Sequence, residues 1–586
     1  MDLRPIAIPP TDEERRAVDA ALPQGEPTRD LLLPALHAAQ SRFGWVSPGA
    51  LGYIAERLHV PPAEAYGVAT FYALFSMKER SPAVVHVCDD IACKLAGADG
   101  LCAEVQDRLG SPGKTWMRSP CLGLCEQAPA ALLTSAGPAP FERAWGHATA
   151  DAIANALETK HVSDPPPPIL HRREGLRLLR RVGKVDPTSL ADYRAHGGYA
   201  ALRRALEIGP SAVIREVSEA KLLGRGGAAF PTGRKWEAVA KNPVRPHYLV
   251  CNADESEPGT FKDRILIEND PFALVEAMTI AGLATGVERG FLYLRAEYPL
   301  AVERIENALK QARSRGLLGD DILGKGARFD VELRRGAGAY ICGEETALFN
   351  SLEGHRGEPR NKPPFPADVG LFGKPTVVNN VETLVNVLDI VTEGAAAYRA
   401  IGTPDSTGTR LFCLSGAVAK PGLYELPFGV RLDALIDFAG GVPAGRKIQA
   451  VLLGGAAGVL VTPDELSLKL TFEDTRRAGA TLGSGVVMVI DDRAPLLGLL
   501  RRIAEFFRDE SCGQCVPCRV GTVRLEELLA RVERRAPLGS IDKERVLLRE
   551  LGQAMRDASI CGLGQTASSV IETAAKKLPL FREVAS

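Results

Sequence analysis

Nowhere in this sequence do about 18 apolar residues follow one another, so no membrane-spanning helix is expected. The start, MDLRPIAIPPTDEERR, lacks an apolar run of the length a secretory signal needs. Net charge is nearly missing too: 71 Lys and Arg against 72 Asp and Glu leave −1, with no global pull toward nucleic acid or an anionic membrane. Repeats are absent, and the four prolines at 165–168 are the nearest thing to a low-complexity tract. These absences describe a soluble cytoplasmic protein. Material for cores is present: 586 residues, 45% hydrophobic, make room for three or four domains at ~150 residues each. Large-scale disorder is not expected at that composition.

A long chain without a signal is a poor host for a disulfide framework, so its 12 cysteines need another reading. Cys102, Cys251, Cys342 and Cys413 are scattered and read as small buried hydrophobes. The other eight form two tight groups, the pattern of metal or cluster ligands. In the first, Cys88-x4-Cys93 is followed by Cys121-x3-Cys125. Four thiolates on loops beside short strands can enclose a rhombic [2Fe–2S] core, two per iron. Structural zinc prefers two-residue gaps, though a gap of four remains open to it. In the second, Cys512-x2-Cys515-x2-Cys518 is joined by the distant Cys561. Three cysteines at successive two-residue gaps wrap one corner of a cubane and a remote fourth closes it, which suits [4Fe–4S] far better than zinc. Ser511, Gly513 and Gly562 add small residues and backbone donors beside these sulfurs.

The chain divides by pattern. Residues 1–28 are proline-rich and charged, a loose N-terminal extension. Residues 29–160 open with helical spacing (LLLPALHAAQSRFG, PGALGYIAERLHV, PAEAYGVATFYALF) and turn β-rich at VVHVC and ALLTSA. Residues 161–205 read as a linker, stiff at its prolines, followed by the basic stretch HRREGLRLLRRVGK. That stretch lacks interleaved aromatics and reads as a solvated or partner-facing arm rather than a nucleic-acid patch. Residues 206–405 alternate glycine-rich loops, short strands (HYLVCN, GFLYLRAEY, FDVELRRG) and helices, an α/β pattern. Residues 406–490 form a β-rich insert, and helical spacing returns over 491–586.

The loops of 206–405 carry the nucleotide chemistry. GRGGAAFPTGRKW (224–236) lets backbone N–H groups approach a phosphate, with Arg225 or Lys235 to add charge. It does not match G-x-G-x-x-G, so a Rossmann site is not supported, and taken alone it is also what an ordinary tight loop looks like. CNADESEPGTFKD (251–263) gathers Asn252, Asp254, Glu255 and Glu257; GAGAYICGEETALF places Glu344 and Glu345; KPPFP and VVNNVET add Lys362, Phe365, Asn379 and Asn380. Amides and carboxylates suit sugar hydroxyls and flavin edges, and phenylalanines suit the faces of flat rings.

These segments resemble the flavin-bearing NADH dehydrogenase subunit of respiratory complex I, and the first half resembles its thioredoxin-like [2Fe–2S] subunit, joined in front. The same pair recurs in NAD-reducing hydrogenases and in NAD-dependent molybdenum or tungsten formate dehydrogenases. The resemblance implies an α/β and α+β multidomain chain: a thioredoxin-like [2Fe–2S] domain, an FMN-binding α/β domain, a ubiquitin-like β-grasp insert and a C-terminal helical bundle with [4Fe–4S]. It implies that Gly224, Arg225, Gly226, Lys235, Asn252, Asp254, Tyr340, Gly343, Glu344, Asn379 and Asn380 hold FMN. Phe230, Glu257, Glu345, Lys362 and Phe365 would hold NADH. Cys88, Cys93, Cys121 and Cys125 would ligate [2Fe–2S], and Cys512, Cys515, Cys518 and Cys561 [4Fe–4S]. Ala238 stands where an aromatic often follows the Lys–Trp pair, which puts one stacking contact in doubt.

Fusion of the two modules argues against a standard complex I. The runs DESCGQCVPCRVGT and DASICGLGQTASS look most like the β subunit of a metal-dependent formate dehydrogenase. A large partner subunit with the metal–pterin site and further clusters is then expected, because no such site is recognisable here. The alternatives are the diaphorase subunit of an NAD-reducing hydrogenase and fused complex I subunits. No catalytic side-chain acid or base is expected, since the flavin brings the chemistry. The rival classes are a zinc-stapled scaffold and an electron-transfer module without NADH chemistry.

Overall fold

Three sheets organise the residues that the computed structural model describes, 8–164 and 175–581. The proline run and the basic residues 171–174 lie outside them.

The N-terminal extension is not loose from residue 11 onward. Thr11 caps the helix Asp12–Ala20: its hydroxyl accepts from the Glu14 N–H at 3.2 Å, while its own N–H donates to Glu14 Oε2 at 2.7 Å. This reciprocal T-x-x-E box satisfies two otherwise orphaned donors. Val18 on that helix is fully buried. The helices Leu32–Phe43, Pro48–Arg57 and Pro62–Ala69 follow, the second started by Ser47 with proline at its first position. Leu36, Ile54 and Val68 from them share one core with residues around Leu249 and Phe291 farther along the chain.

Strands β1 (Ala83–Cys88), β2 (Trp116–Ser119), β3 (Ala131–Ser135) and β4 (Phe141–Trp145) form the first sheet, ordered β2-β1-β3-β4. β1 and β2 run parallel, and the other pairs antiparallel. The helices Ala98–Leu109 and Ala150–Thr159 cover Val85, Val87 and Leu133 with Leu101, Cys102, Val105 and Ile153. Cys102 thus fills core space, as do the buried Cys251, Cys342 and Cys413.

Residues 175–205 belong to the fold rather than to a spacer. Burial explains the difference: acids inside the neighbouring domains pair with the arginines that sequence reading left in solvent. Arg181 Nε sits 2.8 Å from Asp270 and Arg177 Nη2 2.7 Å from Glu393. The Glu425 carboxylate accepts from the N–H groups of Arg177, Leu178 and Leu179 at 3.0–3.1 Å.

The second sheet is all parallel: β5 (Tyr248–Ala253), β6 (Arg289–Leu294), β7 (Asp330–Arg335) and β8 (Thr376–Asn380), in the order β7-β6-β5-β8. The helix Pro271–Thr285 is apolar on every side and nearly all buried, as a helix packed within the layers must be. The chain steps outward from β5 to β6 and β7, then returns to the other side of β5 as β8. Ligands of open parallel sheets bind at the carboxyl ends of strands where the order reverses in this way. The third sheet holds β9 (Thr409–Gly416), β10 (Gly422–Pro427), β11 (Ile448–Leu453), β12 (Val459–Val461) and β13 (Val486–Asp491), ordered β10-β9-β13-β11-β12. Helices Leu496–Asp509, Val516–Glu533 and Ile541–Ala558 then form a bundle. Leu499, Leu500, Ile503 and Phe507 recur at helical spacing and turn inward. Among the described residues no helix is long and apolar enough to cross a membrane.

Candidate functional site

At the carboxyl ends of β5 and β8 lies a cavity of about 580 Å³. Its walls come from three parts of the chain: the glycine loops of the parallel-sheet domain, the β-rich insert, and the start of the helix Gly562–Thr566.

The loop after Leu223 folds back on itself, with the Gly224 N–H donating to Phe230 O at 2.9 Å, and feeds the helix Thr232–Lys241. Gly226 and Gly227 face the cavity, and a Cβ on Gly226 would meet the Asn380 Cβ at 3.1 Å. Across the sheet, Asn252 on β5 is register-paired with Asn380 on β8. The Asn252 Nδ2 donates to Gly343 O at 2.9 Å. Asp254 lines the cavity with a buried Oδ2 that has no partner, and burial pushes its carboxyl well above the carboxylate range. Tyr340, Gly343 and Glu344 complete this side. Glu344 also caps the helix Glu345–Leu352, accepting from the N–H groups of Thr346 at 2.8 Å and Ala347 at 3.0 Å.

Arg225 departs from its expected role. Its guanidinium turns into the interior, donating to Leu223 O at 2.8 Å and Thr407 O at 2.9 Å, and stacks 4.8 Å from the Phe428 ring. Its N–H is taken by Thr383 Oγ1 at 2.8 Å, so neither group reaches the cavity. Asn379 is likewise internal: its Oδ1 accepts from Trp236 Nε1 at 2.8 Å. Gly224 and Lys235 also stand back from the cavity wall, Gly224 in the loop's return and Lys235 in the cluster described next.

Lys235 gathers instead with the expected coenzyme residues. Its Nζ lies 3.5 Å from Glu345 Oε2 and 5.7 Å from the Phe230 ring centre. Lys362 Nζ sits 2.8 Å from both Glu344 and Glu345. Burial pushes the Glu345 carboxyl up, but the two lysines outweigh it and hold the group below its usual range. Phe230 and Phe365 are exposed at 48% and 56%, as rings offered to a flat ligand would be, with Lys235 over one face of Phe230. Glu257 lines the cavity proper. It accepts from the Tyr340 hydroxyl at 2.7 Å and from the Ala457 N–H at 2.9 Å, and burial pushes it up to about 7.

Sequence reading passed over the insert's share of the wall. Gly454, Ala457, Thr481 and Ser484 line the cavity, and a Cβ on Gly455 would meet the Glu257 carboxylate at 2.4 Å. The signal was the glycine run at 454–458, which reads equally as a turn between strands. Lys262 and Asp263 were also passed over, although they close the DESEPGTFKD run.

The first cysteine group converges where β1 ends. Cys121 and Cys125 Sγ atoms are 3.3 Å apart, and the Cys88 and Cys93 thiols touch, with burial adding to the upward shift that contact gives Cys88. Asp90 ties the two loops together, accepting from Ile91 N–H at 2.8 Å and Cys121 N–H at 3.0 Å. This loop pair is pressed against the parallel-sheet domain. Arg295 donates to Cys121 O at 2.6 Å, Arg264 to Gly123 O at 2.9 Å, and Arg264 pairs with Glu126. In the second group, Cys512 and Cys515 precede the helix Val516–Glu533, Cys518 lies in its first turn, and Cys561 stands before Gly562. The Ser511 hydroxyl lies 3.3 Å from Cys518 Sγ, and a Cβ on Gly564 would meet the Cys518 Cβ at 2.9 Å. Burial raises Cys561 to about 11, partly offset by the N–H groups of Leu563 and Gly564. Gly562 and Leu563 belong to the cavity wall, so this group adjoins it directly.

The residues fit the groups that the resemblance implies. An orphaned buried carboxylate oxygen, a glycine loop pressed on Asn380 at Gly226, and facing amides suit a flavin nucleotide. In each cysteine group the four thiols lie near one another, which suits an iron–sulfur cluster, although among the described residues no three of them close around a single metal ion.

Comparison with known proteins agrees. A family model described as thioredoxin-like [2Fe–2S] ferredoxin matches residues 18–159, and one described as Nuo51 FMN-binding domain matches 217–389. An SLBB domain matches 411–456, and the NADH-ubiquinone oxidoreductase-F iron–sulfur binding region matches 498–583. The NADH-quinone oxidoreductase F 2 subunit of Rhizobium meliloti is 48% identical over 68% of this chain and 94% of that protein. The HndC subunit of the NADP-reducing hydrogenase of Solidesulfovibrio fructosivorans is 43% identical over 67% of this chain and 80% of that protein. A solved NAD+-reducing [NiFe]-hydrogenase in the H2-reduced state is 35% identical, with a TM-score of 0.81 over 94% of this chain and 91% of that one.

Proposed function

The chain belongs to the family of NADH-quinone oxidoreductase F subunits, and from that premise we propose that it is the diaphorase subunit of a formate dehydrogenase complex. Its cofactors are FMN, NAD(H), one [2Fe–2S] and one [4Fe–4S] cluster. FMN, when bound, supplies the conversion between the two electrons of a hydride and the single electrons that clusters carry.

The protein's own residues bind, orient and shield. The cavity at the ends of β5 and β8 is the flavin site, lined by Gly226, Asn252, Asp254, Gly343 and Asn380. Phe230, Lys235, Glu345, Lys362 and Phe365 form the arm that receives the coenzyme's adenosine end, with Glu257 inside at the reacting end. No side chain there is asked to act as acid or base. The observation that carries this reading is placement: one cavity is bounded by the glycine loops, the insert, and the N-terminal turn that follows Cys561.

The partner is the finer part of the proposal. The runs around Cys512–Cys518 and Cys561 favour a large formate-oxidising subunit with a metal–pterin site. The extent of the likeness to the NAD+-reducing [NiFe]-hydrogenase, which spans both modules, supports a hydrogenase partner as the second reading. Co-purifying the complex anaerobically and assaying NAD+ reduction with formate and with hydrogen separates them. Turnover with formate alone is expected; turnover with hydrogen alone would move the chain to the second reading.

A further inference from the structure

Of the charged side chains that line the flavin cavity, Asp254, Glu255, Glu257, Asp263 and Glu344 are acids, and Lys262 is the one base among the described residues. Its side chain is fully buried. Two acceptors take its donors, Asp263 Oδ1 at 2.7 Å and Asn380 Oδ1 at 3.3 Å, and Glu382 Oε2 stands 3.1 Å away as an ion-pair partner that accepts no hydrogen bond. Each partner is fixed from elsewhere. Asp263 Oδ2 accepts from Asn380 Nδ2 at 2.6 Å, and Glu382 Oε1 accepts from the Leu411 N–H of the insert at 3.0 Å. The Asn380 carboxamide is therefore held at both ends, oxygen by Lys262 and nitrogen by Asp263. Gly226 packs against its Cβ from the other side.

Such an arrangement is costly as mere structure. Desolvating an ammonium and two carboxylates often outweighs their attraction, and apolar residues of like volume commonly do as well or better. Burial works against the Lys262 charge, but Asp263, Glu382 and Glu255 overcome it and shift the group upward, so the cation persists. Arg410, the other cation facing Glu382 and Asp263, does not itself line the cavity: its Nη2 donates to Gly483 O behind the wall and its guanidinium stacks on the Phe472 ring, with Nε and Nη1 buried and unpartnered. A flavin gains negative charge as it is reduced, and charge near its ring tunes that step.

We propose that Lys262 is a positioning cation of the flavin site: it fixes the Asn380 carboxamide at the cavity and supplies the positive charge that makes bound FMN easier to reduce. This rests on the cavity being the flavin site. The test strips FMN from the full chain, rebinds it by fluorescence titration, and measures its midpoint potential. Lys262→Gln alone would strand two buried carboxylates, so the variant is the charge-matched pair Lys262→Gln with Glu382→Gln. The pair binds FMN at least tenfold more weakly. At a fixed potential its reduced-to-oxidised ratio falls about tenfold, which is ~30 mV for a two-electron couple. Lys262→Arg, which keeps the charge, stays within about twofold in that ratio, since a tenfold change needs the full ~30 mV. Wild-type affinity and potential in the pair, or a potential in Lys262→Arg displaced as far as in the pair, would overturn the proposal. A wild-type chain that fails to rebind FMN would instead sink the assignment of the cavity.

Discussion

The Tyr340 hydroxyl donates to Glu257 Oε2 at 2.7 Å, and the same residue's N–H donates to Glu510 Oε2 at 2.8 Å. Its ring stands edge-on to Phe506 at 5.0 Å. One residue thus joins the acid inside the cavity to the helix that leads into Cys512. The insert grips the same acid through Ala457. Glu257 is a junction at which flavin-type domain, insert and cluster bundle meet.

On the proposed assignment of Glu257 to the coenzyme, that junction should make coenzyme binding pH-dependent. Burial raises Glu257 to about 7, so the group is neutral below that pH and carries a charge above it. NADH is an anion. Its KM should therefore rise as pH climbs through about 7, the value burial gives this carboxyl. In Glu257→Gln the rise should disappear. Steady-state dye reduction from pH 5.5 to 8.5 checks this, and an unchanged profile in the variant would assign the dependence elsewhere.

On the proposed placing of Glu345 beside the coenzyme's ribose, coenzyme choice should depend on it. A carboxylate there accepts from ribose hydroxyls and repels a 2′-phosphate. Lys235 and Lys362 already flank it, so Glu345→Gln leaves two cations facing the 2′ position. NADPH use should rise at least tenfold relative to NADH, which is only ~1.4 kcal/mol. The ratio of kcat/KM for the two coenzymes with a dye acceptor measures it. No change with FMN still bound would contradict the role.

The proposed ligand sets should make the two clusters separable. Purified anaerobically and reduced, the chain should give two distinct EPR signals. Cys561→Ala should remove the [4Fe–4S] signal and leave the [2Fe–2S] one. Retention of both would refute the ligand assignment.

The seam between the first half and the flavin-type domain depends on a buried arginine. Arg264 pairs with Glu126 and Glu268 and donates to Gly123 O. Arg264→Met leaves Glu126 buried without its cation, a loss of about 3–5 kcal/mol for a broken buried pair. Chemical denaturation should show the midpoint falling, with partial recovery when Glu126→Gln is added. No shift would mean that the seam is held otherwise.

Much of this was legible before the structure. Strands such as HYLVCN and FDVELRRG and the helix PFALVEAMTIAGLAT emerge where periodicity placed them, because burial on one or both faces dictates that periodicity. The cysteine groups were legible from the local spacing of the two pairs and of the Cys512–Cys518 run, to which the distant Cys561 was added. What was not legible depends on distant pairing. The contact between Glu257 and Ala457 joins residues 200 apart in sequence, and nothing near either announces it. Arg225 carries the charge a phosphate loop wants, yet Thr407 and Phe428, far along the chain, claim it. The arginines after residue 175 look solvated until Asp270, Asp389 and Glu393 arrive beside them. The Thr11–Glu14 box was a local signal, masked by the prolines around it.

The central claim is that this chain alone takes electrons from NADH and passes them to its clusters. Anaerobic titration of the purified, FMN-loaded chain with NADH, followed by visible absorbance and EPR together, tests it most directly. The account predicts that the flavin bleaches and that cluster signals appear, with no formate, hydrogen or partner present. An FMN-loaded chain whose spectrum NADH leaves unchanged would contradict it.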